Sequence, residues 1–328
     1  MDILILHDNI PDYADPDVLD VITQVEAVQN ALNELGHIST SQSIPKDLNE
    51  LEKQLIIKSP SLIVNLVESI DGYGKFAYKF PELLEKLNIP FTGTKSRAML
   101  TTTDKILSKS ILRNNGILTP KEITLQNSSE NEKCEPGTYI LKPVCEDASI
   151  GVEEDSVVFI VDRKDFLQKE KAMSAKVSTD WFAESYIDGR EWNVGILGTE
   201  NNFEVLPPAE IRFVNYDKGK PKVLGYKAKW MTDSFEYINT TRHFDFSPND
   251  ADLISQLELI AKRCWTIFDL TGYARVDFRV DSKGVPYVLE INANPCISPD
   301  AGLVAAASQK GINYIALVKI ILDAALQQ

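Results

Sequence analysis

Apolar residues follow two spacings along the chain, and where each holds sets the elements expected. The runs ILIL at 3–6 and LIVNLV at 62–67 read as strands. Over 17–35, Val18, Val21, Ile22, Val25, Leu32 and Leu35 recur at three- and four-residue intervals. That spacing predicts a helix covering the sheet, with Gly36 just past its end. Strand and helix alternate over residues 1–95, the pattern of a small parallel α/β unit.

After IPFTGT at 89–94 the pattern changes. A helix is expected at 104–115 and strands at 138–143 and 156–161, while NSSENEKCEPG at 127–137 reads as a polar surface loop. From 181 onward short strands dominate, followed by a helix at 251–268, a hairpin at 273–292 and a terminal helix carrying Ile312, Ile315, Val318, Ile321 and Leu322. The chain is therefore expected to be α/β in its first unit and α+β beyond it, with units at 1–95, 96–180 and 181–328.

The hairpin GYARVDFRVDSKGVPYVLEINANP, 272–295, is the most informative segment. A two-residue turn at Lys283 and Gly284 sets Asp277 opposite Glu290, Arg275 opposite Asn292, Phe278 opposite Leu289 and Val276 opposite Ile291. One face is then apolar, with Val276, Phe278, Val280, Tyr287, Leu289 and Ile291. The other carries Arg275, Asp277, Arg279, Glu290 and Asn292. Carboxylates directly across a strand pair repel by roughly 0.2–1 kcal/mol, so the Asp277–Glu290 pair calls for a cation. Mg²⁺ suits it, being a hard ion that takes carboxylate and amide oxygens and keeps waters and phosphates in its other positions. The same face also fits solvated charges neutralised by Arg275 and Arg279.

Composition narrows the partners. At 328 residues and 44% hydrophobic, the chain has room for two or three domains. A net charge of −14 sets it against duplex nucleic acid and anionic membranes as general partners. The opening MDILILHDN has no basic leader, and no run approaches the ~18 apolar residues of a membrane span, so a cytoplasmic protein is expected. Cys134, Cys145, Cys264 and Cys296 lack paired spacing, and the only histidines are His7, His37 and His243. Reduced thiols without a Cys/His nucleophile follow. The turn HDNIPDYADPD holds no glycine, which excludes a dinucleotide fingerprint after the first strand.

Asp277, Glu290 and Asn292, within RVDF and LEINANP, resemble the metal-binding signature of ATP-grasp enzymes of the D-alanine:D-alanine ligase family. TGTKSRAMLTTTDK, TYILKP, FAESYIDGREWNVGIL and YKAKW resemble the family's other segments in order and spacing, so the likeness covers nearly the whole chain. It implies an ATP-grasp fold preceded by a Rossmann-like (pre-ATP-grasp) domain, ATP with two Mg²⁺ ions for which Mn²⁺ can substitute, small-molecule carboxylate and amine substrates, and a homodimer. Lys105, Lys142 and Lys229, on separate strands or loops, would hold the phosphates, and Ser149 would sit in a loop covering them. Glu184 would meet the adenine amino group, the backbone of Ser185, Tyr186 and Ile187 would read the ring, and Glu191 would hold the ribose. Arg275 and Lys229 would be catalytic as the γ-phosphoryl passes to a carboxylate and an amine attacks the acyl phosphate. Arg275 would take the oxyanion or the amine substrate's carboxylate, with a plain ion pair to Asp277 as the competing reading. The charge logic agrees: a triphosphate carries about four negative charges, which lysines and Mg²⁺ gather and orient.

The substrate side departs from the family. HDNIPDYADPD has no glutamate for the first substrate's amine, leaving Asp12, Asp15 or Asp17 to substitute; Trp230 replaces a tyrosine, and Ala148 and Ala301 replace serines. Glu68, Ser69 and Asp71, with Trp230, Arg275 and Ala301, are expected to face the substrates. The expected reaction joins an amino acid to a carboxylate, with a pair other than two D-alanines. The alternatives are an authentic D-alanine:D-alanine ligase of peptidoglycan synthesis and a non-catalytic nucleotide-binding regulator.

Overall fold

A computed structural model of the chain describes residues 1–10, 15–125 and 134–328. In the N-terminal unit β1 (Asp2–His7), β2 (Ile38–Ser43) and β3 (Leu62–Leu66) form a parallel sheet in the order β2-β1-β3, with α1 (Pro16–Glu34), α2 (Leu48–Lys58) and α3 (Lys79–Leu87) around it. Pro16 opens α1 and Gly36 follows its end at φ 77°, as such residues do at helix boundaries. The buried stripe is rotated from the expected one. Gln24 points inward, where its Oε1 accepts a 2.8 Å bond from the Ile297 N–H, and Ile22 is exposed.

Next come α4 (Ser96–Thr103) and α5 (Lys105–Asn114). The break between them is made by Asp104, whose carboxylate accepts from the N–H groups of Ile106 and Leu107. Such a cap is worth about 1 kcal/mol, and here it fixes Lys105 as the first residue of α5. The central sheet is antiparallel, β4 (Glu122–Ile123), β5 (Gly137–Pro143), β6 (Val157–Ile160) and β7 (Trp181–Ser185) in the order β4-β7-β5-β6, backed by α6 (Arg163–Lys176). Two features cross the expected boundaries: β7 belongs to this sheet although it lies past residue 180, and Ala98 and Leu112 pack into the C-terminal core. The polar loop expected at 127–137 falls mostly outside the described residues.

The C-terminal sheet is also antiparallel, β8 (Arg190–Gly198), β9 (Phe203–Val205), β10 (Ala209–Phe213), β11 (Thr240–His243), β12 (Gly272–Val280) and β13 (Pro286–Asn292), ordered β11-β10-β8-β12-β13 with β9 on β8. Two short helices, α7 (Tyr226–Trp230) and α8 (Phe235–Asn239), lie between β10 and β11. Helix α9 (Ala251–Ile267) buries Leu257, Ala261, Cys264 and Trp265 against the sheet, at roughly 1.5–3 kcal/mol for a large apolar side chain. The remaining helices, α10 (Gly302–Gln309) and α11 (Tyr314–Ala325), share a core with α1, where Leu317, Val318, Ile321 and Leu322 join Val21, Val25 and Val28. Among the described residues no helix is long and apolar enough to cross a membrane.

The metal hairpin keeps the expected register at Arg275–Asn292, Val276–Ile291 and Asp277–Glu290, then shifts. Phe278 pairs with Val288 instead of Leu289, which makes Leu289 the extra residue of a β-bulge. Val288 is fully buried in the place expected of Leu289, and Tyr287 is only half-buried. The connection is a five-residue loop, 281–285, instead of a two-residue turn, because the Asp281 carboxylate accepts from the N–H groups of Lys283 and Val285 and closes a wider loop.

Candidate active site

Between the central and C-terminal sheets lies an open cleft. Ile140, Val152 and Val223 pack with Tyr186 to make one wall apolar, and Leu224 and Leu289 also line it. Its charged lining includes Lys105, Lys142, Lys229, Asp147, Asp277 and Glu290. An apolar slot beside clustered cations fits a flat heteroaromatic group joined to a polyanion.

Of the residues expected to bind nucleotide, all line this cleft: Lys105, Lys142, Ser149, Glu184, Ser185, Tyr186, Ile187, Glu191 and Lys229. Only Lys142 among the lysines lies on a strand; Lys105 opens α5 and Lys229 sits on α7. The N–H groups of Ser185 and Tyr186 are already paired, with the carbonyls of Lys121 and Thr138, so the N–H at Ile187 is the one left open among the described residues. The Glu184 carboxylate is 1% exposed and lies between two ammonium groups, Lys142 at 2.7 Å and Lys109 at 2.6 Å. Burial works against its charge, but the two lysines outweigh it and lower its pKa. Glu191 pairs at 2.8 Å with Arg279, which also donates to the carbonyls of Gly189 and Lys222. Arg279 thus neutralises Glu191, not the acids of the metal face.

At the charged lining Lys105 donates to the Glu146 carbonyl at 2.8 Å and Asp147 at 3.0 Å, with Glu290 at 3.8 Å. Its ammonium is buried, a cost that Asp147 and Glu290 outweigh, and its pKa is raised. Burial alone would raise the pKa of Glu290; Lys105, Lys142, Lys229 and Arg275 reverse this and hold it at about 2. Lys229 forms no ion pair or hydrogen bond among the described residues, and burial followed by repulsion from Arg275 lowers its pKa.

Asp277 and Glu290 face each other across the hairpin, with Asn292 two residues on. Asn292 donates its Nδ2–H to Asp277 at 3.1 Å, which leaves its carbonyl oxygen to ligate a cation. Two carboxylates and an amide oxygen are hard ligands suited to Mg²⁺, which takes its other positions from water and phosphate. Among the described residues no group of three or more His, Cys, Asp or Glu is placed to hold a metal ion. Arg275 grips Asp277 with both Nε and Nη2 at 2.8 Å, so the two form a bidentate ion pair. Asn193 completes the shell of Asp277 at 2.7 Å.

The substrate side is arranged differently from its expected parts. The Trp230 indole donates to the Ala148 carbonyl at 3.2 Å, tying α7 to the loop over the cleft. In that loop Ala148 and Ser149 adopt left-handed φ of 55° and 62°, and the Ser149 hydroxyl donates to the Leu224 carbonyl at 2.7 Å. Ala301 stands at the start of α10 and gives it no side-chain cap. Of the acids near the first helix, Asp17 accepts the Tyr226 hydroxyl at 2.8 Å, Asp15 precedes α1, and Asp12 lies outside the described residues. Ser69 and the Glu68 N–H both donate to Asp8. Glu68 is exposed, and the surrounding protein together with Asp8, Asp147, Asp20 and Asp17 pushes its pKa up to about 8. Asp71 pairs with Lys46 at 2.9 Å on an exposed turn. The Cys296 thiol donates to Asp20 at 3.0 Å and is pushed up by burial, which removes it as a nucleophile.

The sequence reading missed Lys109. The signal lay in the helix spacing, since Lys105, Lys109 and Leu112 form one buried stripe of α5.

This architecture, a nucleotide-shaped cleft between two antiparallel sheets behind a parallel α/β unit, is that of the ATP-grasp carboxylate–amine ligases. The family model described as D-ala D-ala ligase C-terminus matches residues 115–323. The chain belongs to the D-alanine:D-alanine ligase family, whose members use ATP and Mg²⁺. It is 30% identical to a D-alanine–D-alanine ligase of Moorella thermoacetica over 92% of this chain and 93% of that one. It is also 30% identical to protein y4sG of Sinorhizobium fredii, covering 92% and 86%. The D-alanine–D-alanine ligase of Bacillus anthracis, solved with ATP, shares the fold at a TM-score of 0.74 and 21% identity over 100% of this chain and 98% of that one.

Proposed function

We propose that this ligase activates a substrate carboxylate with ATP and couples it to an amino acid, and that its preferred pair is not two D-alanines. The γ-phosphoryl is oriented by Lys105, Lys142 and Lys229 and passes to the carboxylate; the amine then attacks the acyl carbon of the acyl phosphate and phosphate leaves. Asp277, Glu290 and Asn292 would hold Mg²⁺, which supplies charge neutralisation for the transferring group. Arg275, beside the reacting centre, would stabilise the oxyanion.

The observation that carries the substrate reading is the Trp230–Ala148 latch. An indole and a backbone carbonyl satisfy each other where the family has a tyrosine and a serine, and Ala301 offers no hydroxyl at the start of α10. The nucleotide residues meanwhile line one cleft. A small zwitterion that lost such partners would bind weaker by about 1–3 kcal/mol per unpaired group. The test is release of ADP and phosphate with ATP, Mg²⁺ and panels of D- and L-amino acids and small acids, with products identified by mass. A pair that outruns D-alanine is expected; D-alanyl-D-alanine formed faster than every other product would overturn the proposal.

A further inference from the structure

Lys109 has no part in the chemistry described above, yet it is among the most completely buried charges in the molecule, at 1% exposure. Its ammonium forms an ion pair with Glu184 Oε2 at 2.6 Å and donates to Thr119 Oγ1 at 2.9 Å and the Leu289 carbonyl at 3.1 Å. Burying a cation in this way is expensive, and Lys142 already pairs with Glu184 at 2.7 Å, so neutralising that carboxylate does not require a second lysine. The contact that Lys142 does not supply is the one to Leu289. Leu289 is the bulge residue without a partner on β12, and it immediately precedes Glu290.

We propose that Lys109 is a positioning residue that orients Glu184 at the base-binding wall and, by holding the Leu289 bulge, aims Glu290 into the metal face. This rests on reading the cleft as the ATP site. Without Lys109, Glu184 would keep only Lys142 and turn toward it. The Leu289 carbonyl would lose its partner, so the bulge would be free to slip to the regular register in which Leu289 faces Phe278. Base recognition and metal response would then fail together, although they sit on different strands.

Equilibrium binding by calorimetry separates the cases, using ATP and ITP, each with and without Mg²⁺. An acceptor at Glu184 suits the 6-amino group of adenine and opposes the 6-oxo group of hypoxanthine. The parent should therefore prefer ATP, and Mg²⁺ should tighten binding. Lys109→Met and Lys109→Gln should each cut both the ATP/ITP ratio and the Mg²⁺ gain about tenfold, as loss of a supporting contact commonly does. Thr119→Val, which keeps the ammonium and removes one acceptor, should move both in the same direction and serves if the lysine variants do not fold. Glu184→Gln should lose the ratio and keep the Mg²⁺ gain. Lysine variants, or Thr119→Val in their place, that melt earlier yet retain the parent's ratio and gain would show a purely structural lysine and overturn the inference. A parent that binds no ATP would sink the functional reading along with it.

Discussion

At the scale of single residues, the site is held together by charges that would change partners when substrates enter. Asp277 is the clearest case. Arg275 occupies both of its oxygens, and the carboxylate also accepts from Asn193 and Asn292. On the proposed function, a metal ion at Asp277 would compete with the guanidinium, and the guanidinium so released would be available to a developing oxyanion. The ion pair and the catalytic role expected of Arg275 would then be two states of one side chain. Arg275→Gln should tighten Mg²⁺, because a competing cation is gone, while lowering kcat. Titrating Mg²⁺ against turnover checks this. A variant that loses Mg²⁺ affinity along with turnover would mean that Arg275 supports the metal site instead of competing for it.

At the scale of elements, the cleft depends on two segments stitched edge to edge, the loop 144–153 and the turn leading into α7. Beyond the Trp230 and Ser149 bonds, the Tyr226 N–H donates to the Val152 carbonyl at 3.0 Å and the Lys227 N–H to Glu153 at 3.0 Å. The backbones approach so closely at Gly225 that a Cβ there would stand 2.7 Å from the Val152 carbonyl oxygen. Gly225→Ala should therefore pry α7 and Lys229 from the loop and weaken ATP binding by about tenfold, roughly one lost hydrogen bond to a charged group, while the sheets stay intact. Far-ultraviolet circular dichroism and nucleotide titration on one sample test both halves. Unchanged affinity would show that the stitch is not needed. The same scale marks what the sequence could reveal. Alternation placed Arg275, Asp277, Glu290 and Asn292 on one face because the first pairs of the hairpin are regular. It could not reveal the bulge at Leu289, whose carbonyl is held by a lysine 180 residues earlier in the chain. Nor could it reveal that Trp230 bonds Ala148, since an indole's partner is fixed by tertiary packing.

At the scale of the whole molecule, the three stretches that periodicity separates are not three equal bodies. The N-terminal sheet and α1 share one core with Leu197, Leu206 and Tyr273 of the C-terminal unit and with α10 and α11. The central sheet keeps its own core of Tyr139, Leu141, Ile160, Phe166, Met173, Trp181 and Ala183. Local apolar spacing identifies helices and strands, but which cores merge is decided by contacts far apart in sequence, so the shared core was not legible while the segments that carry the family resemblance were. The central sheet reaches the rest through the chain on either side of it, the stitched segments, a 3.3 Å bond from the Gly74 N–H to Glu146, and the ion pairs of Lys105 and Lys109 in α5 with Asp147 and Glu184. A body with its own core can open as a unit, and a ligand gripped between it and its neighbour makes opening dearer. Hydrogen exchange should therefore show residues 137–160 and 224–230 gaining protection when ATP and Mg²⁺ are added, with little change in α1 and α11, whose mutual packing does not involve the cleft. Protection rising equally in α1 and α11 would mean that the molecule opens as a single cooperative unit, and the division between a merged core and a separate central sheet would have to be abandoned.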